Sequence, residues 1–268
     1  MDDFTLGPAL VGLKHMPFGK ALALEEPFVY EQFEQIAHLL GLAVKERTIA
    51  AITGQAGIGK TTAVAAFVRT LPANAYQIIY LGQDQHGGSL FRRFALSLGL
   101  KPRQWRHQIA LQLSQHLQDN EALAGRRVVT IVDEAHLLSE TTLEELRLLT
   151  NSDFDQGSPM TLFLLGQLSL RNRLREPMFT ALNQRIRYRY ALEGFSPEEC
   201  IAYITHRLVG AGASQELFTD GALKLIFEAS GGIPREVNNI ALSCLLKAAD
   251  GKVDHRLVRQ VLDERELN

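Results

Sequence analysis

Gly54-Gln55-Ala56-Gly57-Ile58-Gly59-Lys60-Thr61 is the stretch on which the reading of this 268-residue chain turns. It fits the pattern G-x-x-x-x-G-K-[ST] at every fixed position. The preceding Thr48-Ile49-Ala50-Ala51-Ile52-Thr53 is short, apolar and β-branched, as a strand buried in a parallel sheet is, and Thr61 to Leu71 follows with a helical pattern. Strand, glycine loop and helix in that order make a phosphate cradle. Glycines at 54, 57 and 59 let the backbone fold around an anion with its N–H groups pointing inward, and the helix N-terminus adds partial positive charge. The pattern therefore predicts that Gly54, Gln55, Ala56, Gly57, Ile58, Gly59, Lys60, Thr61 and Thr62 bind a nucleotide such as ATP, with Lys60 reaching the β- and γ-phosphates and the Thr61 hydroxyl on Mg²⁺.

A second stretch completes the chemistry. Arg127-Val128-Val129-Thr130-Ile131-Val132-Asp133-Glu134 is an apolar strand ending in two carboxylates. A carboxylate at a strand's C-terminal end can hold the Mg²⁺ that bridges nucleotide phosphates, and its neighbour can orient the attacking water. Asp133 is accordingly assigned to the metal and Glu134 to the water, so the expected activity is Mg²⁺-dependent hydrolysis of ATP to ADP and phosphate.

The remaining strands follow from apolar runs separated by helical patterns: Tyr76 to Leu81, Val128 to Val132, Thr161 to Leu165 and Ile186 to Tyr190. A helix over Tyr30 to Lys45 leads into the first strand. From Ser196 onward no strand pattern remains, and helices are expected over Pro197 to Gly210, Asp220 to Ser230, Pro234 to Ala249 and from Asp254. Ser196 as N-cap, Pro197 at the first helical position and Glu199 just beyond make a clear start. The expected architecture is an α/β domain, 1–194, with a parallel five-stranded P-loop sheet flanked by helices, followed by a small all-helical lid, 195–268.

Composition excludes little. Hydrophobic content of 46% provides a core, and a net charge of −2 confines any nucleic-acid binding to local patches. No basic leader with an apolar core and no run approaching about 18 apolar residues occurs, which leads to the expectation of a cytoplasmic protein with no membrane partner. Cys200 and Cys244 lack disulfide or zinc spacing and read as reduced, buried thiols.

Both motifs together, with this sheet and a helical C-terminal domain, resemble an AAA+ ATPase. That resemblance implies further site residues: Gln167, after the fourth strand, as the sensor 1 polar residue; Arg185, just before the fifth, as an arginine finger; and Arg235 of Gly232-Ile233-Pro234-Arg235 as a sensor 2 arginine on the γ-phosphate. A planar guanidinium suits a neighbouring subunit's γ-phosphate, and Arg173 and Arg175 stand in reserve for the finger. Within the superfamily, Pro17-Phe18-Gly19-Lys20, Asp133-Glu134-Ala135-His136-Leu137-Leu138, Leu146-Arg147-Leu148-Leu149-Thr150-Asn151, Tyr203-Ile204-Thr205-His206-Arg207-Leu208 and Ser230-Gly231-Gly232-Ile233-Pro234-Arg235-Glu236-Val237-Asn238 are similar to the ExeA-like group. That group includes secretion-associated ATPases and transposition helpers related to Mu B and the TnsC-like regulators.

The helpers of that group present DNA-backbone contacts from the region after the second strand. Here Asp84 to Asp119 encloses no acidic residue but holds Arg92, Arg93, Lys101, Arg103 and Arg106, a surface suited to phosphates and not to bases, with Gln83 to Ser89 as a flexible turn. The alternative is a solvated helix face with Trp105, Phe91 and Phe94 in the core. Arg187 and Arg189 read as charge protection of an edge strand, and the histidines at 136, 206 and 255 as structural or exposed. The leading expectation is an ATP-switched, non-sequence-specific binder of duplex DNA that forms a head-to-tail homo-oligomeric ring or helical filament and recruits a transposase. The alternatives are an ExeA-type secretion-associated assembly ATPase without DNA binding, whose secretion members usually continue into a membrane segment absent here, and a nucleotide-sensing module with little turnover. The Asp133-Glu134 pair speaks against the last.

Overall fold

A computed structural model of the chain describes residues 13–19, 27–82, 89–151, 158–213, 216–248 and 251–266. Its strands are β1 (Ile49–Thr53), β2 (Tyr76–Leu81), β3 (Arg127–Val132), β4 (Met160–Gly166) and β5 (Ile186–Ala191). They form one five-stranded sheet in the order β2-β3-β4-β1-β5, every pairing parallel. The order follows from the sequences. β1 and β4, buried at every residue, occupy central positions, and β3 is buried from Val128 onward. β2 exposes Tyr80 and is only partly buried over Tyr76–Ile78, as an edge strand is, and on β5, the other edge, Arg187 and Arg189 stand exposed.

The chain divides into two compact units: Gln32–Ala56 with Ala63–Leu192, and Met1–Glu31 with Gly57–Thr62 and Glu193–Asn268. In the first, the period-two alternation of strands sends Ile49, Ala51, Leu162 and Leu164 to one face, where they pack with Phe91 and Phe94 of α3 (Leu90–Ser97), Leu113 and Leu117 of α4 (Arg106–Ala124) and Leu143 and Leu146 of α5 (Glu140–Leu149). On the other face Phe163 meets Phe67 of α2 (Lys60–Arg69), ring centroids 6.2 Å apart. Helix α1 (Glu31–Glu46) precedes β1 and buries Ile36, Leu40, Ala43 and Val44, one stripe at helical spacing. Two short helices, α6 (Leu168–Arg173) and α7 (Thr180–Arg185), lie between β4 and β5.

The second unit is built on α8 (Pro197–Gly210), α9 (Asp220–Ser230), α10 (Pro234–Lys247) and α11 (His255–Glu266). Ser196 caps α8 in a full capping box, its Oγ accepting from Glu199 N while the Glu199 carboxylate accepts from Ser196 N. Cys200, Ile204, Ile226, Val237 and Cys244 fill its core. Both cysteines are free and buried, and burial pushes the Cys200 thiol up to about 11. Residues 13–19 pack onto these helices: Lys14 N–H donates to Ala211 O at 2.8 Å, Phe18 is buried, and the fully buried Arg207 donates to Gly19 O at 2.6 Å. By contacts, then, part of the N-terminal segment goes with the helices, whereas a single cut at 194/195 leaves it with the sheet. Gly232, at φ +71°, could carry no side chain, since a Cβ there would lie 2.3 Å from Phe195 O.

Candidate functional site

In a parallel α/β sheet the crevice at the C-terminal ends of the strands receives ligands, and here β1, β3 and β4 all deliver functional groups to that end. The loop after β1 starts against the end of β4, where Gly54 N–H donates to Gly166 O at 3.3 Å. Gly57 and Gly59 take φ values of +81° and +101°, which L side chains rarely adopt, and among the described residues no atom lies within 4 Å of where a Cβ on Gly59 would stand. Helix α2 begins at Lys60, one residue earlier than the sequence pattern suggests, and Lys60 is buried, at 6% exposure. Within the helical unit, which includes Gly57–Thr62, Arg235 N–H donates to Gly57 O at 3.2 Å. A Cβ on Gly57 would fall 2.7 Å from Arg235 Cβ, so the glycine lets the first turn of α10 lie directly on the loop.

At the end of β3, Asp133 extends the ladder by donating its N–H to Leu81 O at 3.0 Å. Its carboxylate is held on both oxygens: Oδ1 accepts from Glu134 N at 2.8 Å and Oδ2 from the Tyr80 hydroxyl at 2.8 Å. Burial first, then the hydrogen bond to Asp133 and the charges of Asp133 and Glu134, push the Tyr80 phenol well above its ordinary range. It therefore remains protonated, a donor to Asp133, at neutral pH. Glu134 takes left-handed φ and ψ of 53° and 36°, uncommon for a residue with a side chain. Its Oε2 lies 3.3 Å from His136 Nδ1. The same Nδ1 lies 3.5 Å from the backbone N of Gln167, the residue that leaves β4 and caps α6, and the His136 carbonyl accepts from Arg173 Nη1 at 2.6 Å.

Arg185 ends α7 at the opposite edge of the sheet, where β1 and β5 begin. It lines a cleft of about 540 Å³ with Glu46, Arg47, Thr48, Ile49, Thr150, Ser158, Gln184 and Arg187. The length of β1, about 13 Å for its four residue steps, separates that edge from the phosphate loop. Arg185 thus lies at the far end of β1 from its own chain's phosphate loop. Arg173, a reserve for the same role, is tied to His136 within the chain and lies over the Phe179 ring at 5.5 Å.

The five basic residues expected to meet DNA do not behave alike. Arg92, Lys101 and Arg103 are exposed. Arg93 turns inward to donate to Gly82 O at 2.6 Å. Arg106 grips Glu145 of α5 through Nε and Nη2 at 2.7–3.1 Å and donates to Thr142 Oγ1 at 2.9 Å. Those two arginines hold α3 and α4 to their neighbours. Phe91 and Phe94 are buried, as a helix face packed on the core requires, but Trp105 is 59% exposed, because it stands at the N-cap of α4 before the first turn packs. The turn over Gln83 to Ser89 lies, up to residue 88, outside the described residues.

The sequence reading passed over Tyr80 and took His136 only as structural or exposed. For the first the available signal was only a tyrosine near the end of an apolar run, two residues before Gly82; for the second only its place two residues after Glu134.

Residues 43–174 match the AAA domain family. The chain carries an AAA domain. That AAA domain and the segments flanking it are 34% identical over 255 residues to general secretion pathway protein A of Aeromonas hydrophila, covering 92% of this chain and 45% of that protein. The chain therefore spans a little under half the length of the curated relative it matches. Among solved structures, Cdc6p of Pyrobaculum aerophilum superimposes with a TM-score of 0.68 at 18% identity, covering 92% of this chain and 70% of that one. ORC1 of Aeropyrum pernix in complex with DNA gives 0.67 at 14%, covering 91% and 69%. The RuvB Holliday junction branch migration motor of Thermotoga maritima gives 0.59 at 17%, covering 93% and 73%. These likenesses establish the fold: the AAA domain of P-loop ATPases, with its parallel five-stranded sheet and helical C-terminal region.

Proposed function

We propose that this chain is an ExeA-type AAA+ ATPase that hydrolyses ATP with Mg²⁺ and works in head-to-tail assemblies of its own copies, in the service of a secretion-associated process. The observation that carries the reading is the placement of the glycine loop and the Asp133-Glu134 pair at the C-terminal ends of β1 and β3, with only β4 between them. The residues suit Mg·ATP. A threonine hydroxyl, Thr61, and one carboxylate, Asp133, are hard oxygen donors that leave the remaining positions of an octahedral ion to phosphate and water, as Mg²⁺ prefers. Bound there, Mg²⁺ would neutralise charge developing on the phosphates.

The chain's own residues divide the work. Gly54 to Thr62 present backbone N–H groups, and the buried Lys60 adds its amino group. Glu134, aimed by its left-handed backbone, takes a proton from the attacking water. Gln167 at the end of β4 and Arg235 at the start of α10 report the γ-phosphate, and Arg185 supplies the finger to the next copy's nucleotide. The 34% identity to general secretion pathway protein A, over 92% of this chain, favours the secretion reading above that of a transposition helper, for which the exposed Arg92, Lys101 and Arg103 are the remaining support. Among the described residues no helix is long and apolar enough to cross a membrane.

The deciding experiment measures steady-state ATP turnover with and without duplex DNA at low salt. Turnover independent of DNA is expected. Stimulation by DNA, lost at high salt and in Lys101→Ala with Arg103→Ala, would restore the DNA-binding reading.

A further inference from the structure

Helices α3 and α4 carry a surface on which aliphatic, aromatic and basic side chains meet. Both helices pack one stripe against the same face of the sheet, Phe91 and Phe94 from α3 and Ile109, Leu113 and Leu117 from α4. The helical period therefore puts Leu96 and Leu111 on the opposite, outward sides, with Arg92 one turn before Leu96. Leu96, Trp105 and Leu111 are 58%, 59% and 61% exposed, and of the large hydrophobic side chains described only that of Val209 is more exposed than Leu111. The connection between the helices brings charge alongside. Gln112, next to Leu111, donates from Nε2 to Lys101 O at 3.1 Å and accepts at Oε1 from Arg103 N at 3.4 Å, which fastens the 101–103 turn to α4 with both basic side chains exposed. Arg92 is a third exposed cation, whereas Arg93 and Arg106 are engaged with Gly82 and Glu145. No acidic residue occurs between Asp84 and Asp119.

Going beyond the hydrolysis reading, we infer that this surface docks the protein peripherally on an anionic phospholipid bilayer, with the three cations against headgroup phosphates and Trp105, Leu96 and Leu111 at the boundary between headgroups and acyl chains. Tryptophan suits that boundary because its ring is apolar and its indole N–H still reaches water or phosphate. Binding of such a surface grows with the apolar area inserted and with the attraction of its cations to anionic lipid. A nucleic acid would occupy the cations and the ring, but its phosphates and bases give the two exposed leucines nothing to bury against. The bilayer accepts all of them. The expectation of no membrane partner rested on the lack of a spanning apolar run, which an interfacial contact does not need.

Trp105 is the single tryptophan of the chain, so its emission reports the contact directly. The full chain is titrated with phosphatidylcholine vesicles, with and without phosphatidylglycerol, at low and high salt, and binding is read by tryptophan emission and by co-sedimentation. Emission should move to shorter wavelength with the anionic vesicles only, be quenched by phospholipids brominated on the acyl chain, and revert as salt rises. Lys101→Ala with Arg103→Ala should weaken binding about 25-fold, about fivefold for each cation, and Leu96→Gln and Leu111→Gln at least about threefold each. Arg256→Ala with Arg259→Ala removes the same charge from exposed positions of α11 and should stay within about twofold. All the substituted side chains are exposed, so the variants keep the fold. Equal binding to neutral vesicles, no quenching by the brominated lipids, or an equal loss in the α11 variant overturns the inference. So does an emission change produced by an oligonucleotide and not by vesicles, which would give the surface to nucleic acid, or by raised protein concentration alone, which would give it to a second copy. The assay needs no nucleotide, so its outcome is independent of the hydrolysis reading.

Discussion

Replacing Glu134 with glycine should yield a more stable protein than replacing it with alanine, the reverse of the usual order. Among the described residues only Arg47 and Glu134 hold positive φ without being glycine, at 51° and 53°. The left-handed conformation costs an L side chain about 1–2 kcal/mol, whereas glycine's extra freedom in the unfolded chain costs it about 0.5–1 kcal/mol relative to alanine. The difference favours glycine by about 0.5–1 kcal/mol at this position. Both variants delete the contact with His136, so that term cancels. The assay is urea denaturation of the two variants side by side, supported by thermal melting, where a difference of this size is worth about 1–4 °C in a chain of this length. Arg47→Gly against Arg47→Ala supplies the control at the other left-handed residue. Alanine equal to or more stable than glycine at position 134 would refute the claim that backbone strain aims this carboxylate.

Arg185→Ala should reduce turnover while leaving the monomer's affinity for ATP unchanged, and mixing it with Glu134→Gln subunits, which still donate Arg185, should restore part of the activity; no rescue at any ratio would move the finger elsewhere. Arg106→Ala should destabilise the protein by about 0.5–1 kcal/mol, since its ion pair with Glu145 is partly screened by solvent, and should leave the salt dependence of any DNA association untouched; a changed salt slope would put Arg106 on the ligand. Tyr80→Phe frees Asp133 Oδ2 and should lower the Mg²⁺ concentration for half-maximal turnover by about threefold, with a rise counting against Asp133 as the metal's carboxylate.

What could be read from the sequence was whatever lay in contiguous residues. The all-buried β1 and β4 announce themselves as unbroken apolar runs, the glycine loop carries its own spacing, and the capping box at Ser196 is complete within four residues. The features that escaped depend on register between distant segments. Tyr80 reaches Asp133 because the parallel pairing of β2 with β3 sets Leu81 beside Val132, and His136 meets Gln167 across 31 residues. Arg106 looked like a phosphate contact because its counter-charge, Glu145, lies 39 residues away on another helix. Trp105 looked like core because aromatic residues usually are, yet its place before the first turn of α4 leaves it exposed.

The central claim, ATP hydrolysis divided between a phosphate-binding Lys60 and a water-activating Glu134, is tested most directly by measuring ATP affinity and single-turnover hydrolysis for Lys60→Ala and Glu134→Gln in parallel. Lys60→Ala should lose ATP binding. Glu134→Gln should bind ATP as the native chain does and hydrolyse it slower by about 10²–10⁴-fold. Equal affinity and equal turnover in the two variants would contradict the assignment of both residues.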